Sequence, residues 1–259
     1  MDTVITPDIE SIERATVAAV APERLDEQPG WLLPMDSGTV GRARSAVPLH
    51  HAAQPLERLD AIVQAYRAVG FAPALRLPDV PAYATWHQAL QAQGWRRCQP
   101  TWTQVGTVQA LLDLPATGPA ARLDAQPDAA WMAMYLGAGL DPVDGASRAR
   151  ALARAQELRY ASVQRAGETV ACGAASYSQG WLGVHGMRTA AAQRGQGLAA
   201  CVLRAMAQEA RQRGIERVFL QVDQHNAPAL ALYRRAGLAL AWGYAYWRLL
   251  GYTARTRSP

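Results

Sequence analysis

Arg194-Gly195-Gln196-Gly197-Leu198-Ala199 sets two glycines and an arginine between a strand-like run, Trp181 to Thr189, and an amphipathic run from Gly197 to Arg213. A loop that opens a helix in this way aims several unpaired backbone N–H groups at one point. Those amides and the helix dipole together favour the oxygens of a phosphate. Glycine lets the backbone approach such a group closely, and Arg194 can add a charge-assisted contact. Groups able to move a proton lie close by in the chain. His185 precedes Met187 by two residues on one strand, so both side chains are expected on one face, and an imidazole titrates near neutrality. Asp223 and His225 follow the next strand, at positions that often border clefts. Asn226 reads as the cap of a helix starting at Ala227. Cys98, Cys172 and Cys201 lack metal-ligand spacing and read as reduced thiols in or near the core.

Elements that could position these groups follow from the apolar pattern. Asp144 to Arg159 has helical spacing; Tyr160 to Val163, the turn Ala166-Gly167-Glu168 and Thr169 to Tyr177 read as strand, turn, strand. Ser178-Gln179-Gly180 turns the chain into the Trp181 strand. Leu198, Val202, Leu203, Met206 and Ala210 share one face of the helix that Gly214 stops. Arg217 to Val222 is a strand, Ala227 to Arg235 a short helix ended by Gly237, and Leu238 to Leu250 one long strand or a final pair.

Three blocks of this half resemble the GNAT superfamily of acetyltransferases. They are Gly186-Met187-Arg188-Thr189, then Arg194 to Ala199, then Asn226-Ala227-Pro228-Ala229-Leu230-Ala231-Leu232-Tyr233-Arg234-Arg235-Ala236-Gly237-Leu238. The resemblance implies a mixed α/β GNAT fold and acetyl-CoA as co-substrate, with no metal. It implies that Met187, Arg188 and Thr189 pair with pantetheine through their backbone and polarise the thioester carbonyl. Arg194, Gly195, Gln196, Gly197, Leu198 and Ala199 would hold the pyrophosphate, and Asn226 and Tyr233 would lie along the pantetheine arm. Tyr233 would protonate the departing thiolate, with His185 first, Asp223 second and His225 third as the general base. Ala199 stands where glycine is frequent, and Ala190-Ala191-Ala192 where proline and an acidic residue often precede the loop. Neither change removes an amide donor.

The N-terminal half repeats the rhythm. Trp31-Leu32-Leu33 and Thr39 to Val47 flank Asp36-Ser37-Gly38 as an expected hairpin. A helix from Leu56 to Val69 ends at Gly70, a strand covers Ala74 to Leu77, a helix from Tyr83 to Gln93 ends at Gly94, and a strand starts at Trp95. Gly70 then matches Gly214, and Gly94 matches Gly237, at an almost constant offset. Tandem GNAT-like domains follow as the expectation: residues 1–112 a degenerate copy, 113–127 a linker rich in Pro, Gly and Ala, and 128–259 the catalytic copy. At that offset the phosphate loop falls on His50-His51-Ala52-Ala53-Gln54-Pro55, without glycines, and Tyr233 falls on Leu90, so one coenzyme A site per chain is expected. Trp31, Trp86, Trp95 and Trp102 read as packing.

Of 259 residues, 50% are hydrophobic and 18% charged, the composition of a packed globular chain. No apolar run reaches a membrane span, and Met1 to Asp8 lacks the pattern of a secretory signal, so a cytoplasmic protein is expected. The net charge of +5 is spread over scattered arginines, which argues against nucleic acid as a partner. The expected acceptor is a primary amine of a small molecule, an amino acid, a polyamine or an aminoglycoside in a role in antibiotic resistance. The alternatives are a protein or peptide acceptor, or a coenzyme A sensor without turnover. An aminoglycoside would call for carboxylates in the cleft, with Glu23, Asp141 and Asp144 to examine. Nothing in the chain reads out oligomeric state.

Overall fold

Strand β1 (Arg24–Gln28) follows helix α1 (Ile9–Ala18) and is followed by β2 (Trp31–Met35), a 3-10 turn at Gly41–Ala43, β3 (Val47–Pro48), α2 (Arg58–Ala68), β4 (Ala74–Pro78), α3 (Ala84–Ala92) and β5 (Trp95–Thr107) in the first half of a computed structural model that describes residues 7–137 and 141–249. The second half runs α4 (Val108–Leu112), β6 (Arg122–Asp124), α5 (Ala129–Ala133), α6 (Pro142–Arg154), β7 (Arg159–Arg165), β8 (Glu168–Ser178) and β9 (Trp181–Thr189). It ends with a 3-10 turn at Ala191–Gln193, α7 (Leu198–Gln212), β10 (Arg217–Asp223), α8 (Ala227–Arg235) and β11 (Ala239–Leu249). Met1 to Thr6 and Leu250, on which expectations were placed, lie outside the described residues.

Eight strands form one mixed sheet in the order β4-β11-β5-β10-β9-β8-β7-β6, and β1-β2-β3 form a small second sheet. Among the described strands of the large sheet, only β9 and β10 run parallel. The order β4-β11-β5-β10 reads alike from either end when the halves are exchanged. Each half contributes a strand, a short helix ended by Gly94 or Gly237, and a long strand. Each long strand lies beside the other half's shorter strand, β5 on β10 and β11 on β4. The match of Gly94 with Gly237 thus has a counterpart in the sheet. What the spacing does not reveal is that the long strands change places. The stretch 113–127 includes β6, which pairs with β7 at the sheet edge.

Packing follows the amphipathic patterns. Leu198, Val202, Leu203, Met206 and Ala210 of α7 are buried, and the helix packs on β7, β8 and β9. Trp31 and Trp86 stack with ring centres 5.1 Å apart in the core of the first half, where Trp95 is also buried. Cys172 and Cys201 are buried and Cys98 half-buried, all as free thiols. Helix α1 lies on the other face of the large sheet. Its Ser11 hydroxyl accepts from the Trp181 indole at 2.8 Å and its Thr16 hydroxyl from the Gln221 amide at 2.8 Å. Glu13 is buried beside Arg76 of β4, oxygen to nitrogen 2.6 Å.

Two local expectations are corrected. The tight hairpin across Asp36-Ser37-Gly38 does not form: β2 pairs with β1 across the turn at Gly30, and of the expected second strand only its Val47 end pairs with β2, as β3. The Asp36 carboxylate accepts the Gly38 amide at 2.7 Å and binds Arg154 at 2.5 Å, which holds residues 36–38 in a loop turned toward α6. The helix expected over Asp144 to Arg159 begins at Pro142, capped by the Asp141 carboxylate, and stops at Arg154. Of the two readings of the C-terminal segment, the single long strand is the one that forms, with register shifts.

Candidate active site

Pairing between the parallel strands β9 and β10 runs only from Trp181↔Arg217 to Val184↔Leu220. Beyond it the strands separate, and among the described residues the backbone of β9 from His185 onward meets no strand on that side. On the other side β9 stays bonded to β8, with a bulge where His185 faces Ala174 but Arg188 faces Cys172. Gly186 occupies the bulge at φ +60°. It accepts the Tyr135 hydroxyl on its carbonyl at 2.5 Å, and a Cβ there would collide with that hydroxyl. Only glycine satisfies both demands. Past the bulge the Ala190 amide bonds Val170 of β8 at 2.9 Å. By strand alternation the amide and carbonyl of Thr189, one residue earlier, face the open gap.

The bulge overturns one expectation: His185 and Met187 do not share a face. Met187 packs toward Val202 and Met206 of α7. His185 turns to the opposite side, its ring 5.9 Å from Phe219 and its Nε2 2.9 Å from the Ser176 hydroxyl. Its Nδ1 is buried without a partner among the described residues. Burial first, and then the charge of Arg42, push the imidazole well below its ordinary range, so it is neutral at physiological pH.

The gap opens into a cleft of about 1530 Å³. Met187, Arg188, Thr189, Arg194, Gly195, Gly197, Leu198, Ala199, Asn226 and Tyr233 all line it, as do His185 and Asp223. Gln196 does not; its side-chain oxygen accepts from Arg165. His225 does not line it either, and its amide is bound by the Asp223 carboxylate at 2.8 Å. Asn226 caps α8 by accepting the Ala229 amide at 3.3 Å. No side chain caps α7, which starts from Gly197 at φ +75°. Its first helical bonds, from the amides of Ala200 and Cys201, both go to the Gly197 carbonyl. The Leu198 and Ala199 amides thus stay outside the helical ladder, at the mouth of the cleft. Uncapped amides, an exposed Arg194 and open space around Gly195 make a cradle that fits a pyrophosphate. The Tyr233 phenol is buried, which pushes it up to about 12, so it stays protonated and able to donate.

The far end of the cleft is built by residues that the sequence pattern does not single out: Arg42 from the 3-10 turn, Gln99 and Thr101 of β5, Tyr135, and Tyr244 and Tyr246 of β11. Arg42 and Tyr135 stand in segments without hydrophobic periodicity, and β5 reaches the site only because the long strands change places. Glu23, Asp141 and Asp144 do not converge here: Glu23 binds Ser37, Asp141 caps α6, and Asp144 binds Arg148 and Thr39. Among the described residues no group of His, Cys, Asp or Glu is arranged to hold a metal ion, and no helix is long and apolar enough to cross a membrane.

A parallel pair that splays at a glycine bulge beside an uncapped helix start defines an acetyltransferase of the GNAT fold. Solved structures share the fold. A GCN5-related N-acetyltransferase from Kribbella flavida superposes with a TM-score of 0.70 at 17% identity, over 96% of this chain and 98% of that one. A GCN5-related N-acetyltransferase from Sphaerobacter thermophilus gives 0.52 at 16%, over 95% and 93%. A tandem GNAT protein from the clavulanic acid biosynthesis pathway gives 0.57 at 12%, over 93% and 94%. No curated protein matches the chain. The model of the family described as "Probable histone acetyltransferase Rv0428c C-terminal" matches residues 6–247, and the chain belongs to that family.

Proposed function

We propose that the chain transfers the acetyl group of acetyl-CoA directly to a primary amine of a small molecule, with residues 128–259 supplying the cofactor site and residues 1–112 shaping the acceptor end. The observation that carries this reading is one cleft shared by both halves. It has the amides of the Gly197 helix start at one end and the splayed β9 in the middle, with first-half residues such as Arg42 at the other end. Walls contributed by both halves suit a small acceptor better than an extended chain lying in an open groove.

In the proposed reaction the amine nitrogen bonds to the thioester carbonyl carbon and the carbon–sulfur bond breaks. Backbone amides of the Met187 to Thr189 segment stabilise charge on the carbonyl oxygen, the proton lost by the ammonium goes to His185, and Tyr233 protonates the departing thiolate. Thiol release from acetyl-CoA across an amine panel tests the reading. Absence of thiol release with every amine, while coenzyme A still binds, would mark a sensor and not a transferase.

Tyr233→Phe should lower kcat by about a hundredfold, within the usual range for loss of a general acid, with coenzyme A affinity retained. Full kcat in that variant would remove Tyr233 from the chemistry. The His185 assignment has its own signature in pH. Because burial lowers its pKa, the imidazole is available as a base down to well below pH 6.5, and the acid limb of kcat/KM should lie equally low. That limb should disappear in His185→Gln. If it persists there, the proton goes elsewhere, Asp223 being the next group on the cleft wall.

A further inference from the structure

The acceptor end of the cleft holds positive charge without its counterpart. Arg42 and Arg188 are both half-buried and both line the cleft. Arg42 donates to the Gln221 side-chain oxygen at 2.7 Å, and Gln221 in turn donates to Thr16 at 2.8 Å, a chain of neutral groups that orients the guanidinium without cancelling its charge. The Arg188 guanidinium lies over the Tyr135 ring at 5.5 Å, with its Nε buried and unbonded among the described residues. Neither arginine has a carboxylate at ion-pairing distance among those residues.

The acidic groups nearby are committed elsewhere. Asp144 binds Arg148 at 2.6 Å and the Thr39 hydroxyl at 2.7 Å. Although burial pushes the other way, those two hydrogen bonds hold its carboxyl below its ordinary value. Glu13 is paired with Arg76 behind the sheet. Among the described residues Asp223 is the one carboxylate on the cleft wall, at the end of β10 beside α8, where it binds the His225 amide. Burial raises the Tyr135 phenol well above its ordinary range, and the charges of Arg188, Arg148 and Arg42 oppose that rise.

Partly desolvated cations without a counter-ion are costly. The guanidinium fork matches carboxylate and phosphate oxygens in shape as well as charge. A basic peptide, a polyamine or an aminoglycoside would bring more positive charge to this end of the cleft. We infer that the acceptor is a small primary amine that also carries an anionic group, a carboxylate or a phosphate, held by Arg42 and Arg188 while its nitrogen reaches the gap at Gly186. This rests on the transferase reading above and narrows it.

The test compares amino acids with their carboxamides, 2-aminoethyl phosphate with ethanolamine, and both sets with diamines and an aminoglycoside. Thiol release is followed for the full chain and for Arg42→Gln, Arg188→Gln and Arg42→Lys. The anionic member of at least one pair should have a kcat/KM about tenfold or more above its neutral partner, and which pair shows it tells carboxylate from phosphate. That ratio should fall toward one in either Gln variant, with a cooperative thermal unfolding transition reporting that each variant is folded. Arg42→Lys should restore part of it. Equal or better turnover of cationic amines, or a ratio that survives both Gln variants, would overturn the inference. If no amine releases thiol, the transferase reading fails on its own. Calorimetry of the same anionic amines against coenzyme A-bound protein then decides the site: binding lost in the Arg variants supports it, and no binding to the unaltered chain refutes it.

Discussion

Residues 128–259 produced alone should not fold into a stable monomer, although they contain the whole cofactor motif. The reason is β5. It pairs with β10 from Thr101↔Asp223 to Thr107↔Arg217 and with β11 from Trp95↔Leu249 to Val105↔Ala239. Without it β10 loses one neighbour and β11 loses both, since its other partner is β4 of the first half. The exposed strand edges and the uncovered apolar faces of Phe219, Trp242 and Tyr244 are a template for aggregation. The expected outcome is insoluble or molten protein, with near-ultraviolet circular dichroism lost and no measurable coenzyme A binding. Supplying residues 1–127 as a separate chain during expression should recover both signals. A monomeric fragment with a cooperative thermal transition and the full chain's affinity for coenzyme A would contradict this account of the sheet.

The same exchange explains which parts of the molecule could be read from the chain. The cofactor end is assembled from β9, α7, β10 and α8, neighbours in sequence joined by short turns, so glycine positions and apolar periodicity are enough to locate it. The acceptor end is assembled from distant pieces. Arg42 stands in a 3-10 turn between a loop tied down by Asp36 and the two-residue strand β3, and nothing in its neighbours' pattern marks it. Helix α1 escapes for a different reason: its buried face carries Glu13 and Thr16 alongside Ile12 and Ala15, which blurs the apolar stripe. The His185 face was misjudged because alternation assumes an unbroken strand, whereas the bulge at Gly186 inserts a residue and reverses every side chain after it. Gly186 is visible in the sequence, but its bulge depends on the Tyr135 hydroxyl, which reaches it from α5's end of the chain. A repeat offset can align two halves; it carries no information about which half's strand completes which sheet.

Gly197→Glu should abolish coenzyme A binding at the cleft while leaving the fold intact, a loss of at least about a hundredfold in affinity. Gly197 is exposed, and the atom nearest to an added Cβ is the Thr117 hydroxyl oxygen at 3.7 Å, so the side chain has room. Its φ of +75° would cost a residue with a Cβ about 1–2 kcal/mol. A carboxylate at a helix start is favoured by the dipole by about 0.3–1 kcal/mol, which offsets part of that strain. Unfolding temperature should therefore shift only slightly. Binding is affected differently. The carboxylate would occupy the same amide field that the pyrophosphate needs and repel the incoming anion. Two negative groups about 4 Å apart near the surface, at an effective dielectric of about 20, repel by about 4 kcal/mol, well beyond a hundredfold. Gly197→Ala separates the causes, because it carries the φ strain without the charge and should cost about tenfold at most. Titration calorimetry at low and high salt gives the decisive comparison: the Glu variant should recover some affinity as salt screens the repulsion, and the Ala variant should not. Equal losses in the two variants would mean that backbone shape, not the anion field of the α7 start, governs the site. Unchanged affinity in the Glu variant would place the pyrophosphate elsewhere.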